Sequence, residues 1–533
     1  MPTTPLIQAL QNQALYDHPV VGFEVIETHI SWVILTGDYA YKIKKPLNLG
    51  FLDFSTLEQR HYYCQQELNL NRRLAPQLYV DVIPISGSAE QPILNSATGD
   101  PIEYAIKMRQ FPQSAQLDRV LTRNELQPQQ IDQLADTIAT FHQRIEVAPE
   151  GNSYGTPEAI LNPVAENFRQ IRPFLKDDEE KALLQQLEQW SHQTFEQLRP
   201  TFDARKRTGF IRNCHGDMHL ANIALINQEL VIFDCIEFND NFRWIDPISE
   251  IAFTTMDLID RGQPQFAARL LDRYLQRTGD YAGLSLLQFY QVYRALVRAK
   301  VAAIRAHQSD LSPSVRIEAL QQYRNYTQLA ERFTHSKQPR LFIAHGVSGS
   351  GKTSLTQPLL EAFGMIRLRS DVERKRLYGL NAEARTTATP GSDIYSQNTS
   401  QRTYTHLLEM ATEVCQSGYD VIIDATFLKR SQRQQFHSLA QQLNIPFVIL
   451  HFYADETLLR QWIEERARIG KDASEATVEI MQQQLATEDP LTADEAKKVI
   501  AIDTGRVDAD QHLINAVKTT APVLAEKLAL SCS

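Results

Sequence analysis

Eight consecutive residues, Gly346-Val347-Ser348-Gly349-Ser350-Gly351-Lys352-Thr353, follow the apolar run Leu341-Phe342-Ile343-Ala344 and precede a segment, 354–362, patterned as a helix. The pattern G-x-x-x-x-G-K-[ST] between a strand and a helix is a phosphate cradle. Its glycines let the backbone turn back on itself, so that the amides of Gly346, Ser348, Gly349, Ser350 and Gly351 can converge on phosphate oxygens where a helix N-terminus favours anions. Lys352 is then placed for the β- and γ-phosphates of a nucleotide and Thr353 for Mg²⁺.

A second block is chemically just as specific. His215-Gly216-Asp217-Met218-His219-Leu220-Ala221-Asn222-Ile223 is followed by the apolar run Leu230-Val231-Ile232-Phe233, which ends in Asp234. The Asp-x-x-x-x-Asn spacing is that of the protein-kinase catalytic loop, and an Asp closing the next strand stands where such enzymes hold their metal. A hydroxyl attacking a phosphoryl group needs a carboxylate to orient it and accept its proton, which assigns Asp217 as catalytic base. Mg²⁺ needs hard oxygen ligands, here Asn222 and Asp234. Upstream, Ala40-Tyr41-Lys42 ends a strand and Glu67 lies on the following helix, which predicts a Lys–Glu pair orienting the nucleotide phosphates. In Lys42-Ile43-Lys44 the alternation places Lys42 and Lys44 on one face, so either can be the phosphate ligand; the A-x-K ending favours Lys42.

These residues resemble the Brenner motif and metal-binding Asp of the aminoglycoside phosphotransferase and choline kinase group, relatives of protein kinases. The resemblance implies a two-lobed, α+β protein-kinase-like domain over residues 1–335. One departure stands out: no G-x-G-x-x-G loop precedes Lys42, where only Gly22 and Gly37 are available. Aminoglycoside-type kinases generally lack that loop too, so the departure tells against a protein kinase more than a small-molecule kinase. Asp246 resembles the family's structural Asp and equally suits a helix N-cap.

Beyond the cradle, strands and helices alternate, which implies an α/β domain with a parallel sheet and its ligand site at the carboxyl ends of the strands, over 336–533. Val421-Ile422-Ile423-Asp424 fits a strand delivering Asp424 to Mg²⁺, directly or through water. Asp371 and Arg374 follow the second strand, where Asp371 can orient an acceptor hydroxyl or cap a helix. Arg460, Arg466 and Arg468 lie in a helix and loop similar to a kinase lid, with Glu464, Glu465 and Lys471 interleaved; Arg466 is the expected phosphate contact. The region 338–515 resembles small P-loop kinases of the gluconate-kinase, zeta-toxin and polynucleotide-kinase kind. The two halves together resemble a bacterial fusion of an aminoglycoside phosphotransferase-like protein with a P-loop ATPase or kinase. That resemblance implies an ATP- and Mg²⁺-dependent phosphotransferase with two nucleotide sites and small-molecule hydroxyl acceptors. Two alternatives stay open: one domain is a nucleotide-driven switch, or the C-terminal domain acts on a nucleic acid or nucleotide sugar.

The elements that must position these groups can be outlined. Residues 1–19 carry a short helical pattern, 23–45 a hairpin-rich β region, 54–74 a helix capped at Ser55 or Thr56, and 79–85 and 102–111 strands. From 126 to 198, and again over 246–278 and 284–333, apolar residues recur at helical spacing. The polar stretch Thr334 to Pro339 is the expected domain boundary. With 533 residues the chain exceeds one core, and about one domain per 150 residues suggests two to four. A net charge of −10 with 22% charged residues tells against a general nucleic-acid or membrane-surface binder. Cys64, Cys214, Cys235, Cys415 and Cys532 form no C-x-x-C pair and read as free thiols in a reducing compartment. The N-terminal residues lack a basic stretch followed by an apolar one, and no run approaches about 18 apolar residues, so a soluble cytoplasmic protein is expected.

Overall fold

The computed structural model describes residues 4–50, 52–96, 99–308, 311–335, 338–382, 384, 394, 396–469 and 476–520. The chain forms two compact units: Met1–Gln130 with Thr140–Asp257 and Val292–Ala330, and Ile131–Ala139 with Leu258–Gln291 and Glu331–Ser533.

In the first unit a six-stranded antiparallel sheet runs in the order Glu24–Glu27, Ser31–Leu35, Tyr39–Lys44, Pro101–Arg109, Tyr79–Gly87, Pro92–Leu94. Tyr39–Lys44 lies inside it, with Lys42 opposite Val33 on one side and Ile106 on the other. Strand alternation then sorts the side chains: Tyr41 and Ile43 join a buried cluster with Ile34, Ile83 and Ile85, while Lys42 and Lys44 point to the other face. That face meets the helix Leu57–Asn71. The helix starts at Thr56, whose side chain accepts from Gln59 N while Gln59 reaches back, a capping box. Cys64 and Leu68 pack it against Tyr79 and Ile106, and this packing buries Glu67 beside the lysines.

The first helical pattern yields less helix than expected. Pro5–Ala9 is helical, and after Asn12, whose side chain accepts from Ala14 N, only a single 3-10 turn follows at Gln13–Leu15. The stretch 126–198 divides into Pro128–Arg144, Pro157–Ile171 and the start of Asp178–Arg207, with Gly151 and Gly155 at positive φ in the first interruption. Further on, the hairpin Ile223–Ile226 with Glu229–Ile232 ends at Asp234, and the helix Pro247–Asp260 follows.

The second unit contains a five-stranded parallel sheet in the order Ile366–Arg369, Val421–Asp424, Leu341–His345, Phe447–Tyr453, Val499–Asp503. Strands buried on both faces read as continuous apolar runs, as Leu341–His345 and Val421–Asp424 do. At their carboxyl ends the sheet presents the cradle loop, Asp424 and the start of the helix Ser370–Leu377. The core gathers Phe342, Ala344, Ile422 and Leu450 with Leu359 and Leu360 of the helix Lys352–Phe363, and also Ala268 of the helix Pro264–Thr278. Gly364, at φ +65°, ends the helix Lys352–Phe363.

Candidate active sites

In the first unit three carboxylates converge on two lysines. Lys42 Nζ lies 2.8 Å from Glu67 Oε1 and 2.6 Å from Asp234 Oδ1. Lys44 Nζ is 2.6 Å from the other Glu67 oxygen and pairs with Glu237. Burial alone would lower the Lys42 pKa, but the Asp234 and Glu67 carboxylates hold it well above the usual lysine range. Both lysines foreseen for the phosphate role therefore share Glu67, and Lys42 is the one that also reaches Asp234. Lys44 is fully buried over the Phe54 ring, 4.7 Å from its centroid.

The catalytic-loop block is held from behind. Glu250, buried on the helix Pro247–Asp260, accepts from Gly216 N (2.6 Å), His215 N (3.1 Å) and the His142 ring (2.9 Å). Asp257, seven residues further, accepts from Leu220 N at 2.8 Å, and Arg294 donates to Gly216 O at 2.9 Å. Asn222 Nδ2 donates to Asp217 Oδ2 at 3.0 Å, and the His219 ring lies 3.5 Å from the same carboxylate. Burial pushes the Asp217 pKa up, but His219, Arg298 and His215 outweigh it and keep the carboxyl ionised well below its ordinary range. Asp234 takes φ +64°, unusual for a non-glycine residue and of the kind that clusters at functional sites. Asp246 serves both readings weighed for it: it accepts from Ile248 N at 2.9 Å as a helix cap and is buried against Arg205 at 2.5 Å. His142, Cys214 and Glu250 offer ligand atoms within 4.8 Å of one another. The Glu250 oxygens are already engaged by two backbone amides and a ring, which explains that cluster as loop anchorage.

In the second unit the cradle has the strained geometry its glycines permit. Gly346, Gly349 and Gly351 lie at φ +145°, +84° and +79°. A Cβ on Gly346 would meet Phe452 O at 2.3 Å, so no other residue fits there. Lys352 Nζ donates to Gly346 O (2.9 Å), Val347 O (2.7 Å) and Ser350 Oγ (3.3 Å). Its pKa is pulled down to about 8 by burial, opposed by Asp424 and assisted by Arg466. Thr353 Oγ1 donates to Asp424 Oδ2 at 2.7 Å, joining the two residues foreseen as magnesium ligands. Burial pushes the Asp424 carboxyl up. Asp371 is lowered, because Arg369, 2.8 Å away, outweighs its burial. Arg374 lies on the helix Ser370–Leu377, and its charge reaches Tyr404.

Of the three lid arginines, Arg460 and Arg468 pair with Glu456 and Glu465 on the surface. Arg466 donates to Ala476 O at 2.7 Å and is the one whose charge is felt at Lys352. Residues 470–475 of the lid stretch, Lys471 among them, and Cys532 lie outside the described residues. The other four cysteines are buried free thiols.

Comparison with known proteins matches a different family model to each of two regions of the chain. The model of the Phosphotransferase enzyme family matches residues 64–287, and that of an AAA domain matches residues 341–491. An uncharacterized protein of Mycobacterium tuberculosis and one of Mycobacterium bovis are each 30% identical over 463 residues, covering 86% of this chain and 89% of theirs. The chain belongs to their family. It is a kinase-like phosphotransferase with a second, P-loop kinase-like domain. Among solved structures, a gluconokinase from Sinorhizobium meliloti is similar over 36% of this chain and 98% of its own, at 20% identity and TM-score 0.26. A choline/ethanolamine kinase family protein from Mesorhizobium loti is similar over 62% of this chain and 98% of its own, at 11% identity and TM-score 0.38. No described helix is long and apolar enough to cross a membrane.

Several partners of the candidate site residues carried no signal in the sequence. Glu237 sits three residues beyond Asp234 yet is defined only by its pairing with Lys44. Glu250 and Asp257 hold the catalytic loop from a helix that reads as ordinary and apolar. Gln484, in a Gln-rich stretch, places Oε1 2.7 Å from Ser348 N of the cradle. Two carboxylates two helical turns apart on one helix face, beside a loop whose backbone N–H groups need acceptors, is the pattern that could have flagged Glu250 and Asp257.

Proposed function

We propose that the chain carries two Mg²⁺–ATP sites and transfers the γ-phosphoryl group of ATP to hydroxyl groups of small-molecule acceptors, in a reducing cytoplasmic setting. The observation that carries this reading is that each unit brings together a lysine and an acidic metal-ligand set. Lys42 meets Glu67 and Asp234 in one, and Lys352 sits in a loop whose Thr353 is bonded to Asp424 in the other. The donor sets, Asn222 with Asp234 and Thr353 with Asp424, are all hard oxygens and fit Mg²⁺. When bound, the metal would neutralise charge on the phosphates.

At the first site Lys42, oriented by Glu67, binds phosphate oxygens. Asp217, ionised and fixed by Asn222, orients the acceptor hydroxyl and takes its proton as the oxygen attacks. The His219 ring beside Asp217 keeps that carboxylate in place for the proton. At the second site the cradle amides and Lys352 hold the phosphates, Arg466 adds charge from the lid side, and Asp371, held by Arg369, orients an acceptor hydroxyl while Arg374 supports it.

Phosphoryl transfer from γ-labelled ATP into a fractionated small-molecule extract tests this reading, with Asp217→Asn and Lys352→Ala as comparators. Each substitution is expected to remove a different labelled product. Hydrolysis without a labelled acceptor at one site would make that domain a nucleotide-driven switch, and label in nucleic acid or a nucleotide sugar would replace the acceptor class of the second site.

A further inference from the structure

The helix Pro264–Thr278 is built into the unit of the parallel sheet. Ala268 lies in the core with Leu359 and Leu360, and Arg269 bridges Asp132 (2.7 Å) and Glu361 (2.8 Å). One turn beyond Ala268, Asp272 is 4% exposed and its Oδ2 lies 2.8 Å from Arg367 Nη2. Gln276 Nε2 donates to the same oxygen at 2.6 Å.

Arg367 is equally buried, on the strand Ile366–Arg369, and its Nη groups also reach the first two turns of the cradle helix. Nη1 reaches Thr353 O at 3.1 Å and Thr356 Oγ1 at 3.3 Å, and Nη2 reaches Gln357 Oε1 at 2.7 Å. Thr353 is thus gripped twice: its carbonyl by Arg367 and its hydroxyl by Asp424.

We propose that Asp272 is a positioning residue of the P-loop site: it keeps the Arg367 guanidinium on the Thr353 carbonyl and away from Asp424. A cation at the N-terminal turn of a helix is opposed by the helix dipole, and a buried guanidinium requires a partner. Asp272 supplies both compensations. Without it, the buried guanidinium loses its carboxylate, and Asp424, which meets the same Thr353 that Arg367 meets, is an anion it can turn toward. An arginine drawn to Asp424 competes with a divalent cation for the same oxygens and releases Thr353 from its fixed orientation. The inference rests on reading Thr353 and Asp424 as magnesium ligands of a nucleotide site.

The test uses the full chain carrying Lys42→Ala, so that the first site is silent, and follows binding of a fluorescent ATP analogue during MgCl₂ titration. Asp272→Asn is expected to raise the half-saturating Mg²⁺ concentration about tenfold or more, the usual cost of removing a carboxylate that supports a metal ligand, with Mg²⁺-free binding changed less than about twofold. Asp272→Glu, which keeps the charge, is expected to restore most of the shift. The pair Asp272→Asn with Arg367→Met leaves no arginine to compete, and its shift is expected to be smaller than that of Asp272→Asn alone; it carries the test should the single variant fail to fold. An unchanged Mg²⁺ midpoint in Asp272→Asn, an equal loss of affinity with and without Mg²⁺, or a double variant as impaired as the single one overturns the inference and leaves Asp272 a packing residue. Lys352→Ala separates the two levels: if it leaves analogue binding intact, the nucleotide-site reading itself has failed.

Discussion

The two phosphate sites draw their charges from different distances along the chain. In the first unit Lys42 meets a glutamate 25 residues away and an aspartate 192 residues away, so the site exists only when strand, helix and catalytic loop have all docked. In the second, cradle amides, lysine and threonine come from Gly346 to Thr353, and Thr353 meets Arg367, 14 residues away, and Asp424, 71 residues away. One site is assembled by tertiary packing, the other mostly by backbone conformation. The difference predicts where each is vulnerable.

The largest effect is expected at the assembled site. Asp217→Asn keeps the bond to Asn222 in shape but cannot accept a proton, and single-turnover transfer there should fall about 10²–10⁴-fold with nucleotide affinity retained. Transfer by the second site should be unchanged; a parallel loss there would show that the sites work as one machine and would break the comparison. Next in size, Lys352→Ala removes the cradle's only lysine and should cut turnover at the second site about 10²–10³-fold, leaving the first untouched.

A smaller effect tests the claim that distant packing builds the first site. Glu250→Gln removes the charge that holds the His215 and Gly216 amides in a buried position. It should cost roughly 2–4 kcal/mol of stability in chemical denaturation and lower transfer at that site about tenfold, with nucleotide affinity little changed. If transfer stays at the wild-type rate in the folded variant, Glu250 contributes stability alone.

The same contrast explains what could be read in advance. The cradle was legible because its glycines, lysine and threonine are contiguous and their conformational demands are local. Strand alternation correctly put Lys42 and Lys44 on one face but could not divide their roles, since the division depends on Glu237 and Asp234 arriving from elsewhere. The helix expected over 54–74 was legible through its capping candidates Ser55 and Thr56; the structure starts it at Leu57 with Thr56 as the cap. Arg369 beside Asp371 is two residues away, yet its pairing depends on how the strand ends and the helix starts. The units also interleave along the chain: the long run from Glu331 is joined in its unit by 131–139 and 258–291. The polar stretch Thr334 to Pro339 carries no information about earlier helices that pack with the run from Glu331, because Ala268, Asp272 and Arg269 look like any amphipathic helix face.

The finest test of the comparison uses pH. Lys352 sits in a buried loop that lowers its pKa to about 8 from 10.5, whereas Lys42 is held well above the ordinary range by two carboxylates. Phosphate binding favours the charged amine at both sites. Above pH 8 the second site must take up a proton to bind nucleotide, so its affinity should weaken by up to about tenfold per pH unit, while the first site stays flat through pH 9. The linkage to folding runs the other way: between about 8 and 10.5 the unfolded chain holds the Lys352 proton that the folded chain has lost, so this residue's contribution to stability improves as pH rises through that window. Nucleotide affinity measured from pH 7 to 9.5, in Lys42→Ala for the second site and Lys352→Ala for the first, separates the two profiles. Lys352→Arg, charged throughout, should flatten the second profile. A second site whose affinity does not change across this range would mean that its lysine keeps its proton despite burial, held by the carbonyls of Gly346 and Val347 together with the Asp424 charge.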